Sequence, residues 1–334
     1  MNFFMKERTK VLLSILIIFI ILLLTVIPMT ITIVAYNMNF GMRVSVSANS
    51  FSEDDFDMLR EEVSFPSNKG QILRGYIYRK DDTYTPKALI VFSHGYTNTH
   101  NDYLNQIYYF VENGYIALAY DNTGCGMSDG DDMIGLAQSP LDLSAALTFV
   151  ENTNELDDYK VFLYGHSWGG YAVTAVLNYG HKVDGVVSRS GFNNSRDMLI
   201  EYGKRLYGNW LGLLSPYAYV YEKIKFGDAV DKNGIKGINS APNTPILLLH
   251  SEDDGTISLS NSLLAHKDEM INPDRIQTIL YKDKTHDVVK THAAIEYSKT
   301  LDENTVYTKD VVEKSHELDE DVMKSILDFY DSLV

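Results

Sequence analysis

Residues 160–179 read KVFLYGHSWGGYAVTAVLNY and place Ser167 between two glycines, where a β-branched and aromatic run gives way to a helix-compatible one. A serine hydroxyl is presented at the tip of a strand-to-helix turn only if that turn is very tight. Gly165 and Gly169 let the neighbouring backbones approach, with His166 inside the turn. The first amides of the following helix and its dipole then point at the serine, so the Trp168 amide can donate to an oxyanion forming there. A bare Gly-x-Ser-x-Gly is common by chance; the flanking strand and helix make this one specific.

That junction demands a parallel strand layer, and the rest of the chain supplies one. Eight strands are expected at Glu61–Phe65, Ile72–Arg79, Ala88–Ser93, Tyr115–Tyr120, Lys160–Tyr164, Val183–Ser188, Pro245–His250 and Arg275–Tyr281. The first two read as an antiparallel pair turning at Ser67-Asn68-Lys69-Gly70. The later runs are apolar enough to be buried on both faces, and the segments near 101–113, 137–152 and 167–179 have the length and composition of crossover helices. The expected fold class is α/β: a mostly parallel eight-stranded sheet with helices on both faces, formed by residues 61–334. Residues 192–241 exceed the length of a plain crossover and are rich in aromatics and leucine, which suits a helical cap; Tyr202, Tyr207 and Trp210 are its candidate substrate-facing residues. Most such aromatics serve only to hold an insertion down. Val311–Val334 reads as a closing helix that packs through Val322, Ile326, Leu327 and Phe329.

A serine nucleophile needs a base, and in such an arrangement the acid and then the histidine follow it along the chain. After strand seven, LLLHSEDDGTIS offers Glu252, Asp253 and Asp254; Asp254, four residues past His250, is placed to reach under a histidine. After strand eight, LYKDKTHDVV offers His286, and no other histidine has that position. His100, His181, His266, His292 and His316 fall on segments read as loop or helix surface. In Ser93-His94-Gly95-Tyr96, Gly95 lets the Tyr96 amide turn toward the same point as that of Trp168. Histidine and acidic spacings match no H-E-x-x-H or calcium loop, so no metal or other cofactor is expected. Cys125, the single cysteine, reads as a small packed thiol.

Residues 11–36, VLLSILIIFIILLLTVIPMTITIVAY, are uncharged and at ~1.5 Å per residue exceed the roughly 30 Å hydrocarbon core of a bilayer. Lys6, Arg8 and Lys10 precede the run. They place residues 1–10 in the cytoplasm and the folded domain outside, as a single-pass membrane protein. The run is too long for a signal-peptide core, and Val46-Ser47-Ala48 lies well past its end, so an uncleaved anchor is expected, with Pro28 as a kink site. Residues 37–60 read as a juxtamembrane linker. Of the net charge of −16, residues 1–43 carry +3, so the remainder carries −19; an acidic body repels phosphate backbones and excludes nucleic acid as a partner.

Taken together, His94-Gly95, Tyr120-Asp121 followed by Gly124-x-Gly126-x-Ser128, Gly165-His166-Ser167-Trp168-Gly169-Gly170, Asp254 and His286 resemble the α/β-hydrolase superfamily, in its serine aminopeptidase-like and monoacylglycerol-lipase-like branch. The resemblance runs from about Glu61 to the C-terminus. It departs where that branch carries Asp-x-Arg-Gly-x-Gly-x-Ser, for this chain has Thr123 in place of the arginine; Ser251 replaces a usual glycine and Gly255 a usual proline. The resemblance implies a triad of Ser167, Asp254 and His286, an oxyanion hole of the Tyr96 and Trp168 amides, and hydrolysis through an acyl-enzyme. A small acyl-ester substrate is the first expectation and peptide or amide hydrolysis the second. A catalytically silent binding module is the expectation of a different class.

Overall fold

The computed structural model describes residues 2–334, with side chains from Glu7 onward; Met1 and the side chain of Lys6 lie outside the described residues. All eight expected strands form: β1 (Leu59–Pro66), β2 (Ile72–Arg79), β3 (Leu89–Ser93), β4 (Ile116–Tyr120), β5 (Val161–His166), β6 (Gly185–Arg189), β7 (Ile246–Ser251) and β8 (Ile276–Tyr281). They make one sheet in the order β1-β2-β4-β3-β5-β6-β7-β8. The β1–β2 and β2–β4 pairs are antiparallel and all others parallel. The hairpin turns where expected, with the Gly70 amide donating to the Ser67 carbonyl at 2.9 Å and Gly70 at a φ of +84°.

Period-two alternation sorts each central strand between two cores. Val91, Leu163 and Leu248 point to the face covered by α4 (Gln138–Glu151), α5 (Trp168–Ala175) and α8 (Gly234–Ser240). Phe92, Tyr164 and Leu249 point to the face covered by α3 (Leu104–Glu112) and α11 (Glu320–Asp331). After the short α9 (His292–Ser298), the C-terminal segment is two helices rather than one, α10 (Lys309–Ser315) and α11. Asp319 ends any continuation between them because its carboxylate caps α11 through the amides of Asp321 and Val322. As expected, Val322, Ile326 and Phe329 are buried, and the next residue, Tyr330, stacks on Phe162 at 5.0 Å.

The long β6–β7 connection is helical: α6 (Ser195–Tyr207), a 3₁₀ stretch Asn209–Leu214, α7 (Ser215–Phe226), a second 3₁₀ stretch Gly227–Asp231, and α8. Asn194 starts α6 by accepting from the Asp197 amide at 2.8 Å.

The N-terminal helix runs as α1 (Asn2–Ile21), a π-turn Leu22–Val26 and α2 (Ile27–Phe40). Among the described residues, one helical span, Glu7–Phe40, is long and apolar enough to cross a membrane. The expected disturbance at Pro28 takes the form of the π-turn, in which the Ile27 amide donates five residues back to Leu22. Proline offers no amide to the Leu24 carbonyl and crowds it, and widening the preceding turn relieves the clash. The vacated Leu24 carbonyl accepts instead from the Tyr217 hydroxyl on α7. Thr30 and Thr32 turn their hydroxyls back onto the carbonyls of Val26 and Pro28 at 2.8 and 2.9 Å, so the helix leaves those polar groups satisfied internally.

Residues 37–60 do not behave as the expected linker. Phe40, Val44 and Phe51 are buried, Arg43 donates to the carbonyls of Gly126, Ser128 and Gly130, and Val44 bridges to Cys125 in parallel register. Polar letters in this stretch hid apolar residues spaced too far apart to show a period.

Candidate active site

Ser167 takes φ 56° and ψ −110° between β5 and α5, backbone geometry that a non-glycine residue adopts only when its surroundings force it. Its amide is held by the Arg189 carbonyl at 2.9 Å. The glycines are there for space: a Cβ on Gly165 would collide with the Gly169 carbonyl, and one on Gly169 with the Ser93 carbonyl. Trp168 opens α5, so its amide has no carbonyl within the helix to bond. Its indole is buried and donates to the Leu136 carbonyl at 2.6 Å.

The two later residues meet. His286 Nδ1 lies 2.8 Å from Asp254 Oδ2, and the other Asp254 oxygen accepts from the amides of Thr256 and Ile257 at 2.8 and 2.9 Å. Burial pushes the Asp254 carboxyl up, but the hydrogen bond and charge of His286 and the two amides outweigh it, so its pKa lies below the ordinary value. Glu252 and Asp253 stay at the surface. The His286 ring sits 4.8 Å from that of His166, the residue before Ser167.

The backbone of His286 is pinned by residues the sequence did not single out. Its carbonyl accepts from Ser190 Oγ at 2.8 Å, and the next residue, Asp287, pairs with the fully buried Arg189. Burial pushes the Asp287 carboxyl up, yet Lys290, Arg189 and His166 together hold it well below the usual range. His166 is kept neutral chiefly by burial and then by Arg189 and His286; its Nδ1 lies 2.8 Å from the Tyr103 hydroxyl and its Nε2 3.3 Å from the His286 carbonyl. His100 is buried, against expectation, because Asp121 after β4 accepts from both its amide and its Nδ1 at 2.9 Å.

In front of Ser167 lies an apolar cavity of about 70 Å³. Tyr96, Leu136, Trp168 and Phe192 line it from the main domain, and Met198, Leu199 and Tyr202 from α6. Thr256 and Ile257 after β7 add to the wall, and a further side was missed by the sequence reading: Asn39 and Phe40, from the end of the N-terminal helix. Tyr96 joins the two sides, its hydroxyl donating to the Asn39 carbonyl at 2.6 Å and its ring meeting Phe40 at 5.6 Å. Of the candidate cap residues, Tyr202 lines this cavity and Tyr207 a neighbouring one, whereas Trp210 lines neither. Half-exposed, Trp210 turns its indole NH back to the Tyr207 carbonyl at 2.7 Å.

The serine aminopeptidase S33 family model matches residues 84–236. Among solved structures, the fold is similar to the esterase Pf2001 of Pyrococcus furiosus, with a TM-score of 0.59 at 15% identity over 87% of this chain and 99% of that one. This likeness shows an α/β-hydrolase fold. Est1E of Butyrivibrio proteoclasticus, solved with ferulic acid bound, is similar with a TM-score of 0.56 at 15% identity over 81% and 98% of the two chains. Two curated relatives match over shorter stretches. Polyketide transferase af380 of Aspergillus fumigatus is 32% identical over 39% of this chain and 45% of its own length. Quorum-quenching protein AidA of Acinetobacter baumannii is 28% identical over 41% and 47%. The matches therefore span about half the length of each curated relative.

In the loop after β4, the position at which the resemblance leads one to expect an arginine is taken by Thr123 and its hydrogen bonds. The Thr123 amide and hydroxyl reach the buried Asp142 carboxylate at 2.8 and 3.0 Å, and Ser67 and Gln138 complete its partners. Gly126 is required here because a Cβ would strike the Asp121 carboxylate. Cys125 is fully buried, and burial pushes its thiol well above the ordinary value, so it has no thiolate to offer as a nucleophile.

Proposed function

We propose that this chain is a membrane-anchored serine hydrolase that cleaves carboxylic esters of apolar acyl groups. The observation that carries the reading is the strained Ser167 at the head of α5, whose neighbour His166 packs its ring 4.8 Å from that of His286, itself bonded to Asp254 at 2.8 Å. His286, oriented by Asp254, takes the Ser167 proton as the oxygen attacks the ester carbonyl. The amides of Trp168 and Tyr96 receive the oxyanion. Collapse expels the alcohol, which takes the proton from His286. Water, deprotonated by the same histidine, then releases the acid and restores Ser167.

Ester rather than peptide chemistry is favoured by the cavity wall. An aminopeptidase must hold a free ammonium group, and among the described residues none of those lining the Ser167 cavity is acidic. The anchor reading rests on the long apolar helix, with Arg8 and Lys10 at its start setting the N-terminus inside. Retention of the helix is supported by Tyr36, Phe40 and Val44, whose burial would be lost if the chain were cut after Ala48.

The test is a panel of p-nitrophenyl esters set against aminoacyl nitroanilides, with purified full-length protein and its Ser167→Ala variant. Ester turnover that falls at least 10³-fold in the variant is expected. Turnover of the nitroanilides alone would move the assignment to a peptidase, and inertness toward both would mark a binding module.

A further inference from the structure

The Ser167 cavity does not end at Asn39. A second, narrower apolar cavity, of about 30 Å³, shares Asn39, Leu199 and Tyr202 with it and continues back along the N-terminal helix past Ala35 to Thr32. Its opposite wall is the insertion, through Leu211, Leu214 and Ala218. From Asn39 to Thr32 the helix rises about 10 Å at ~1.5 Å per residue, all of it toward the bare apolar span.

We propose that the end of the N-terminal helix is one wall of the acyl site, and that the hydrocarbon chain of a single-chain lipid ester passes from the bilayer between this helix and the insertion to Ser167. The inference rests on the serine-hydrolase reading for its chemistry and on separate observations for its route. The insertion is positioned at membrane depth. Roughly 20 residues from Val11 fill a ~30 Å hydrocarbon core, which puts Leu24 about 9 Å inside the outer edge. There its carbonyl holds the Tyr217 hydroxyl of α7. The outward side of the insertion suits that depth, for Leu213 and Ile224 are 76% and 71% exposed, and Trp210 and Val220 about half. Such a surface facing water would be a liability, whereas facing acyl chains it is in its own solvent. Closer to the domain, Tyr221 meets Tyr36 edge-on at 5.1 Å. The helix and insertion thus hold one another beside the cavities.

The lining chemistry selects the occupant. No charged side chain lines either cavity among the described residues, so a hydrocarbon chain is admitted and a charged headgroup or peptide is turned away. A substrate dissolved in the bilayer need not cross water to reach the serine.

The experiment uses the full-length Ser167→Ala protein in phospholipid nanodiscs with a monoacylglycerol ester whose chain ends in a diazirine. Irradiation is followed by mapping of the adducts. Crosslinks are expected on the segments 32–39 and 199–214, and Ala35→Trp or, on the facing wall, Leu199→Trp should lower the yield on the 199–214 segment at least fivefold. Crosslinks confined to residues 11–27, as for any bilayer lipid, or a yield that neither tryptophan alters, would overturn the route. Fluorophosphonate labelling of the wild-type protein reads the serine separately. Labelling without corridor crosslinks refutes the route alone, and corridor crosslinks without labelling refute the serine chemistry alone.

Discussion

The turn around Ser167 and the contact between the N-terminal helix and the insertion are built in opposite ways. The turn is local: within five residues two glycines, a strained serine and a helix start determine each other, because the backbone has no room for alternatives. The helix–insertion contact joins residues almost two hundred positions apart through a proline-vacated carbonyl, a hydroxyl and a few rings. Chemistry at the serine should therefore depend steeply on the first region, and access to it on the second.

The largest effect expected is on the histidine's partner. Asp254→Asn keeps the shape of the acid but deprives His286 of its charge and tautomer control, so kcat for an activated ester should fall about 10³-fold, or ~4 kcal/mol, with thermal stability little changed. A loss below tenfold would show that Asp254 is a loop acid and nothing more. Next comes Phe40→Ala, which removes a buried ring from the helix–domain contact and should cost about 3 kcal/mol. Limited proteolysis reads it as new cleavage within residues 37–50; an unchanged pattern would mean that the helix sits on the domain without being held.

Glu222 on α7 offers a pH handle on the same contact. Burial raises its pKa from 4.5 to about 7, and it faces Ser195, Arg196, Asp197 and Lys225 as well as the Tyr36 and Tyr171 hydroxyls. A raised folded-state pKa stabilises at low pH, and that stability is lost as pH rises from about 4.5 through about 7, at most about 3 kcal/mol in all. Glu222→Gln should flatten this part of the melting-temperature profile, and an identical pH slope in the variant would remove Glu222 from the account. The smallest effect is expected of Tyr96→Phe, which deletes the bond to the Asn39 carbonyl for about 1 kcal/mol. If both the melting temperature and the preference among ester chain lengths stay put, that link between helix and active site is idle.

How much was legible in the sequence follows the same division. Strands such as Val161–His166 and Ile246–Ser251 announce themselves by unbroken apolar runs, and Asp254 and His286 by their places after strand ends. Boundaries moved by one or two residues, since side-chain alternation does not say where pairing stops. Asn39 and Phe40 stayed hidden because their partners, Tyr96 and the insertion, are distant in sequence and only folding brings them together. Arg189 and Asp287 were hidden for a related reason: a buried ion pair has no period, and each charge alone reads as surface. Trp210 misled in the other direction, since an aromatic on an insertion reads equally as cap lining and as outer surface.

The central claim is that Ser167 is the reactive group of this chain, and mapping a fluorophosphonate adduct on the folded full-length protein tests it most directly. A single adduct on the peptide containing Ser167, absent in Ser167→Ala and strongly reduced in His286→Ala, is the predicted result. No adduct, or one on another serine that persists in both variants, would contradict it.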